Sequence, residues 1–387
     1  MSLFGGKKEE SFDGILGVDL GPSGVKIVEL QQEKGRMRLS TYGYSEFAVQ
    51  TAEPFAFLEN PDKAVAAIKQ IIKDSGMRAT RAIAALPSGS VFQAIVTIPI
   101  PKDDKDDLKR LIETQAAKLL PMPLSEMILD SNVLDKELLP KQGKNRGSAG
   151  QELGGSADAD PLTSRPADQL ETQKHIRVLI TGAPKVLVEK YVDLFKKAKI
   201  ELVSLETEVF ALIRSLVGKD KSRIMLVDMG LAQTHITVID KAIPYLTRNM
   251  NGGGAAVTNA LATSTGVSFA DAERMKRDLG LQGDAQEPPK VIKDALQNVV
   301  HELRYALELY AQQTFHDNST VEKIVVTGGS AHLPGLDPYL TAQLNVNVYV
   351  GDPWARIAAP PALRPVLEEV GPRFAVALGL AMRMNES

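Results

Sequence analysis

Residues 14–30, GILGVDLGPSGVKIVEL, read as two apolar strands joined by a tight turn. Ile15, Leu16 and Val18 lead to Asp19; Gly21, Pro22, Ser23 and Gly24 supply the turn; Val25, Ile27, Val28 and Leu30 return. A turn built from small residues leaves backbone N–H groups pointing inward, where phosphate oxygens bind them. Gly21 and Ser23 allow that close approach. Asp19, at the strand end, is a candidate to hold Mg²⁺ through water, because Mg²⁺ gives up its hydration shell reluctantly. Lys26 would neutralise phosphate charge if its side chain faces the ligand.

The same unit recurs. Residues 223–228 and 235–240 are again apolar strands around a turn, and both units carry Asp-x-Gly at the end of the first strand: Asp19-Leu20-Gly21 and Asp228-Met229-Gly230. Two copies of one hairpin predict an internal duplication, with one hairpin in each of two lobes. Asp228 and Gly230, with Gln233 and Thr234 nearby, would form a second clamp facing the first, so that β- and γ-phosphates are gripped from both sides. A third element is Gly328-Gly329-Ser330-Ala331-His332-Leu333-Pro334-Gly335, where a buried strand (323–327) feeds a turn and then a helix (336–344). Gly328 and Gly329 would let the backbone lie flat against an adenosine, which a Cβ would obstruct. Taken alone, this segment reads more readily as an ordinary strand–helix loop with a Gly pair.

Around these segments the chain alternates strands and helices. Helical patterns cover 62–75, a stretch starting at 103, 185–199, most of 254–315 and a small-residue segment at 372–383; strands cover 82–86, 91–98, 127–134, 176–182, 201–205 and 347–350. Residues 140–173 are rich in Gly, Ser, Ala, Asp and Pro, the composition of a flexible insertion. With 387 residues the chain is long enough for two domains. Net charge is −3 and no basic stripe stands out, so nucleic acid is not an expected partner. There is no cysteine, and the five histidines are isolated, so no thiolate chemistry or histidine metal site is expected. No apolar run approaches the roughly 20 residues that cross a bilayer, and residues 1–13 lack the apolar core of an export signal.

In the order hairpin, hairpin, Gly-Gly…Pro-Gly, the three segments resemble the two phosphate motifs and the adenosine motif of the actin, heat-shock chaperone and sugar-kinase superfamily. More closely, the chain resembles the PilM family of type IV pilus assembly proteins. The features that carry this are Leu120-Pro121-Met122-Pro123, the segment VSLETEVFAL at 203–212, and Ala272-Glu273-Arg274-Met275-Lys276 after the glycine run.

The resemblance implies an α/β, two-lobed actin-like fold, a duplicated ribonuclease H-like architecture with an inserted small subdomain of the FtsA and PilM type. Its expected layout is a tail at 1–13, subdomain 1A at 14–91 (completed by 200–222 and 361–387), the inserted subdomain 1C at 92–199, subdomain 2A at 223–251 (completed by 323–360) and subdomain 2B at 252–322. It implies ATP and Mg²⁺ as ligands, with Asp19, Gly21, Ser23 and Lys26 at the first phosphate loop and Asp228 and Gly230 at the second. Gly252 and Gly253 would approach the phosphates, Glu273 and Lys276 would contact ribose or adenine, and Gly328, Gly329 and Ser330 would lie along the adenosine. Glu208 falls where relatives keep a residue that orients the attacking water; an acidic group beside a helix N-terminus is also favourable without catalysis. Glu273 and Lys276 read equally as a surface ion pair. Two departures stand out: Pro22, with no N–H to donate, replaces the usual Ser or Thr, and Val209 replaces the proline usual after the glutamate.

The family's role implies a cytoplasmic scaffold peripheral to the inner membrane, binding the N-terminal cytoplasmic peptide of a PilN-type membrane protein and meeting pilus motor ATPases, without inserting into the membrane itself. Alternatives are a cell-division actin of the FtsA type, expected to carry a C-terminal amphipathic helix; a type II secretion protein of the GspL type, expected to continue into a transmembrane helix; and a small-molecule kinase, which needs a base aspartate and a sugar pocket. The chain reaches Met384-Asn385-Glu386-Ser387 without either C-terminal feature.

Overall fold

The computed structural model describes residues 14–46, 58, 60–100, 105–134, 175–281, 289–312 and 320–386; the expected tail at 1–13 and the insertion at 140–173 lie outside the described residues. Its strands are β1 (Gly14–Gly21), β2 (Gly24–Glu33), β3 (Arg36–Glu46), β4 (Arg81–Leu86), β5 (Phe92–Pro99), β6 (Met127–Val133), β7 (His175–Pro184), β8 (Glu201–Thr207), β9 (Ile224–Met229), β10 (Gln233–Asp240), β11 (Ile243–Asn251), β12 (Lys323–Thr327) and β13 (Val348–Val350). The α-helices are α1 (Pro61–Asp74), α2 (Lys105–Leu119), α3 (Lys185–Ala198), α4 (Glu208–Leu212), α5 (Gly254–Thr265), α6 (Phe269–Leu279), α7 (Lys290–Gln312), α8 (Leu336–Leu344) and α9 (Arg364–Met382).

The chain divides into two compact units, one comprising Met1–Val91 and Lys185–Ser387, the other Phe92–Pro184. The larger unit holds two five-stranded sheets, ordered β3-β2-β1-β4-β8 and β11-β10-β9-β12-β13. The two orders are one topology used twice. In each, three strands pair antiparallel in succession and two further strands join parallel beside the first. The expected duplication is therefore explicit in the strand order.

Each hairpin has a third strand that the sequence pattern did not reveal. β3 buries only Leu39 completely, and its other side chains are exposed or half-exposed, so the apolar alternation that marks a strand is missing. β11 is similar, burying only Pro244. Both are entered through two-residue turns with positive φ, Lys34-Gly35 (49° and 77°) and Lys241-Ala242 (51° and 64°). Such turns match the twist of the flanking strands, but Lys241-Ala242 carries no glycine or asparagine to announce it.

α9 packs where the two sheets meet. Around it, Ile15 and Val28 of the first sheet, Leu226 and Ile239 of the second, and Phe374, Leu378 and Ala381 of the helix share one buried cluster. Contact is so close that a Cβ on Gly17 would collide with the Ala377 carbonyl, and one on Gly379 with that of Ala211. The apolar pattern places the start of this helix at Pro372, but it begins at Arg364 and contains the proline. Residues 364–371 bury only Leu367 and Gly371, which is too sparse for a stripe. The Pro372 carbonyl accepts from Thr327 Oγ1 at 2.9 Å and from the Gly328 N–H at 3.1 Å, tying the second sheet to the middle of α9.

A second cluster fills the second lobe, with Met225, Val227 and Ile236 under Leu296, Val300 and Leu303 of α7. The smaller unit is a three-stranded antiparallel sheet, β5-β7-β6. Its core joins Val96, Ile98, Ile176, Val178 and Ile180 of the sheet to Ile112 and Ala116 of α2.

Candidate functional site

Within the larger unit the β1–β2 and β9–β10 hairpins open onto one cavity of about 1010 Å³. Its lining includes Asp19, Gly21, Ser23, Lys26 and Glu208 on the first-lobe side, and Asp228, Gly230, Gln233, Gly252, Gly253, Glu273, Lys276, Gly328, Gly329 and Ser330 on the other. Thr234, expected beside Gln233 in the second clamp, is instead fully buried, its Oγ1 donating to the Gly252 carbonyl at 2.6 Å. These positions, more than 300 residues apart at the extremes, converge because each Asp-x-Gly terminates the central antiparallel strand of its own sheet.

At the floor, Asp19 is 6% exposed and pairs with Lys26 at 3.1 Å. β1 and β2 hold Asp19 opposite Lys26 in register, so the ion pair follows from the hairpin geometry. Asp228 lies across from them. Burial pushes its carboxyl up to about 6; His235 opposes that rise, Glu208 and Asp19 add to it, and Lys26 opposes it again. Three carboxylates thus crowd one region with a single lysine among them. Glu208 is anchored, its Oε2 accepting from the Ser88 N–H at 2.8 Å, while its side chain also faces the cavity.

The glycines divide by physical reason. Gly24 (φ 139°) lies where a Cβ would strike the Ser45 carbonyl, and Gly328 (φ 87°) where it would strike Asp228 and the Met229 carbonyl; backbone and packing both demand glycine there. Gly253 has no room for a Cβ beside the Gly230 carbonyl. Gly21 and Gly329 differ. Neither has positive φ, and a Cβ on Gly329 would meet nothing within 4 Å, one on Gly21 only Lys26 Nζ and the Gly24 carbonyl at 3.6 and 3.9 Å. What a side chain would fill at these two positions is the cavity itself.

The second turn is stitched to the start of α5. The Gly252, Gly254 and Ala255 N–H groups donate to the carbonyls of Ala232, Gly230 and Leu231 at 2.9–3.0 Å, and Ser330 Oγ donates to Gly230 O at 3.1 Å. Ser330 therefore fastens the adenosine-type loop to the second hairpin. Glu273 and Lys276 pair at 2.6 Å, and Lys276, 8% exposed, also donates to Thr258 Oγ1 at 2.9 Å and Gly254 O at 3.2 Å. This is a cavity-wall network and not a surface pair. Burial lowers the Lys276 ammonium, opposed by Glu273; burial raises Glu273, but the bonds from Lys276 and Thr258 outweigh it and hold the carboxyl below its ordinary value.

Other lining residues carried no signal in the sequence reading: Tyr44, Glu46, Arg277, His332 and Arg373. Arg277 lies four residues past Glu273 on α6 and pairs with it at 3.3 Å, a spacing that could have been read from the sequence. His332 was readable only as an isolated histidine. Burial lowers its imidazole, and nearby Arg373 adds to the effect. Among the described residues no cluster of three or more His, Cys, Asp or Glu side chains has metal-binding geometry, and no helix is long and apolar enough to cross a membrane.

A family model described as "Type IV pilus assembly protein PilM" matches residues 17–145 and 166–385. The chain belongs to the PilM family. Among solved structures, the PilM-PilN type IV pilus biogenesis complex matches with a TM-score of 0.73 at 22% identity, covering 96% of this chain and 99% of that one. MreB5 of Spiroplasma citri bound to ADP matches with a TM-score of 0.50 at 12% identity, covering 96% and 95%. The cell division protein FtsA of Bacillus subtilis (strain 168) is 23% identical over 269 residues, 64% of this chain and 56% of FtsA. The chain thus spans little more than half the length of that relative. The fold of this PilM-family member is actin-like, and the doubled strand order accords with that.

Proposed function

We propose that this PilM-family protein binds ATP with Mg²⁺ in the cavity between its paired hairpins, and that it acts as a cytoplasmic scaffold of type IV pilus assembly, holding the N-terminal peptide of a PilN-type membrane protein. The observation that carries the nucleotide reading is the convergence of Asp19 and Asp228 on one cavity that reaches Gly329. The residues present fit the ligand: Gly21 and Gly329 leave open space that no protein atom needs, and Asp19, Glu208 and Asp228 bring three carboxylates to the same cavity.

In this reading the first turn supplies N–H donors from Ser23 and its neighbours, Pro22 having none, and Lys26 moves from Asp19 toward phosphate. Asp19 and Asp228 hold the metal through water, as Mg²⁺ sites with few protein ligands do. Glu273 and Lys276 position the ribose side; Gly328, Gly329 and Ser330 shape the adenosine side. Glu208, fixed by the Ser88 N–H, would orient a water if the nucleotide is hydrolysed. Nucleotide occupancy would then bias the approach of the two lobes. The partner reading is supported by family membership and by the likeness to the PilM-PilN complex; the subdomain layout set out from the sequence, with 92–199 as the inserted element, is proposed with it. An extended peptide held along a strand edge is a recurrent mode of recognition.

The test is titration of a fluorescent ATP analogue with and without Mg²⁺. Saturable, Mg²⁺-dependent binding that ATP displaces and Asp228→Ala abolishes is expected; no binding in the wild type defeats the nucleotide reading. Pull-down with a PilN-type N-terminal peptide, with and without nucleotide, tests the scaffold reading separately.

A further inference from the structure

We propose that the end of the first sheet remote from the cavity is a docking surface for anionic phospholipid headgroups. Strand register defines that end. Gly21 faces Gly24 and Leu86 faces Thr207 at the cavity end, whereas Gly14 faces Gln31 and Arg81 faces Glu201 at the other. No basic stripe stands out along the sequence, yet folding brings three separate segments to this rim. They are the β2–β3 turn with Lys34 and Arg36, the entry to β4 with Arg78 and Arg81, and the turn from α3 into β8 with Lys196 and Lys199. All six are exposed. The rim spans the five strands of the sheet, four spacings or roughly 19 Å across.

Acidic residues among those described offset part of this charge, and Asp62 pairs with Lys197, which is not counted among the six, at 3.2 Å. Glu33 is paired with Arg38 at 2.6 Å, and Glu201 stands in register with Arg81. A helix C-terminus favours cations by its dipole, which explains Lys196 in the last turn of α3. It does not explain Lys34, Arg36, Arg78, Arg81 or Lys199, which lie outside any helix. The protein as a whole carries −3, so this positive rim is offset by negative charge elsewhere. Such polarity suits a planar anionic surface that touches one end of the sheet; a long polyanion would meet the acidic remainder. Among the described residues the rim has no exposed aromatic for base stacking, and lysine makes up half of these six cations. Lysine is depleted in protein–protein interfaces but characteristic of polybasic lipid-binding surfaces. The inference rests on charge and register and is independent of the nucleotide reading.

The full chain is sedimented with vesicles of phosphatidylcholine alone or with about 30% phosphatidylglycerol, at low and high salt. Retention on the anionic vesicles at low salt and release at high salt are expected, since exposed charges are screened within about 10 Å at 0.1 M. Arg36→Glu, Lys196→Glu and Lys199→Glu together should lower partitioning about a hundredfold or more, at about fivefold per charge removed. Lys241→Glu with Lys290→Glu, in the second lobe, should change it less than threefold. The melting temperature of each variant, measured alongside, shows that it is folded. Equal retention on zwitterionic vesicles, or an unchanged rim variant, overturns the proposal. So does a rim-dependent complex with polyglutamate or duplex DNA formed in preference to vesicles, which would assign the surface to a protein or a nucleic acid.

Discussion

Asp228 lies against Gly328 so closely that a methyl group on the glycine would overlap its Oδ1. The acid of the second hairpin and the first glycine of the adenosine-type loop are thus one packed unit. In-register pairing of β9 with β12, where Asp228 faces Thr327, brings them together.

Gly328→Ala and Gly329→Ala should therefore behave differently although they are neighbours. At Gly328 the positive φ and the collision with Asp228 should destabilise the fold by about 2 kcal/mol or more. At Gly329 stability should change by less than about 0.5 kcal/mol while nucleotide affinity drops, because the added methyl enters the cavity. Denaturant melts and analogue titration on both variants check this; equal stability losses would contradict the division of the glycines.

Asp228 sets a pH dependence. Its folded value, about 6, stands above the ordinary 3.8, so between these values the folded state binds a proton that the unfolded chain does not. This group's contribution to stability is greatest below about pH 4, falls as pH rises to about 6 and is flat beyond. Asp228→Asn should raise unliganded stability at pH 8 by up to about 3 kcal/mol, far less at pH 4.5, and abolish the Mg²⁺ dependence of nucleotide binding. Urea melts at the two pH values decide it: a gain of the same size at both rules out the buried charge as the cause.

Removing Lys276 takes from Glu273 its buried cation, leaving the carboxylate with Thr258 and the exposed Arg277. Lys276→Met alone should cost about 2 kcal/mol, reduced from the cost at a fully buried pair because Glu273 keeps some solvent contact. Adding Glu273→Gln should restore most of that. A double variant no more stable than the single one would show that the loss comes from packing and not from the lost ion pair.

α9 tolerates nothing between itself and β1. Gly17→Ala should cost about 3 kcal/mol, since its methyl would have to displace the Ala377 carbonyl and the Ala381 backbone. Hydrogen exchange should show faster opening of α9 than in the wild type; unchanged protection would mean that the helix shifts without penalty.

Much of this was legible from local pattern. The two Asp-x-Gly hairpins announce themselves because their strands are buried on both faces and read as apolar runs. Two of the segments that carried the family resemblance, 203–212 and 272–276, supply Glu208, Leu212, Glu273, Arg274 and Lys276 to the cavity lining. β3 and β11 were not legible, since edge strands with half-exposed side chains leave no apolar period. Nor was the true start of α9, whose first two turns bury little.

By itself, the order of residues determined the duplicated hairpins and the actin-like family, because turns and buried strands are written in short-range pattern. Only tertiary structure decided which glycines serve packing and which leave cavity space, that Glu273 and Lys276 form a wall network, and that scattered cations share one rim. Those properties depend on distances between residues remote in sequence, and such distances exist only once the sheets have paired.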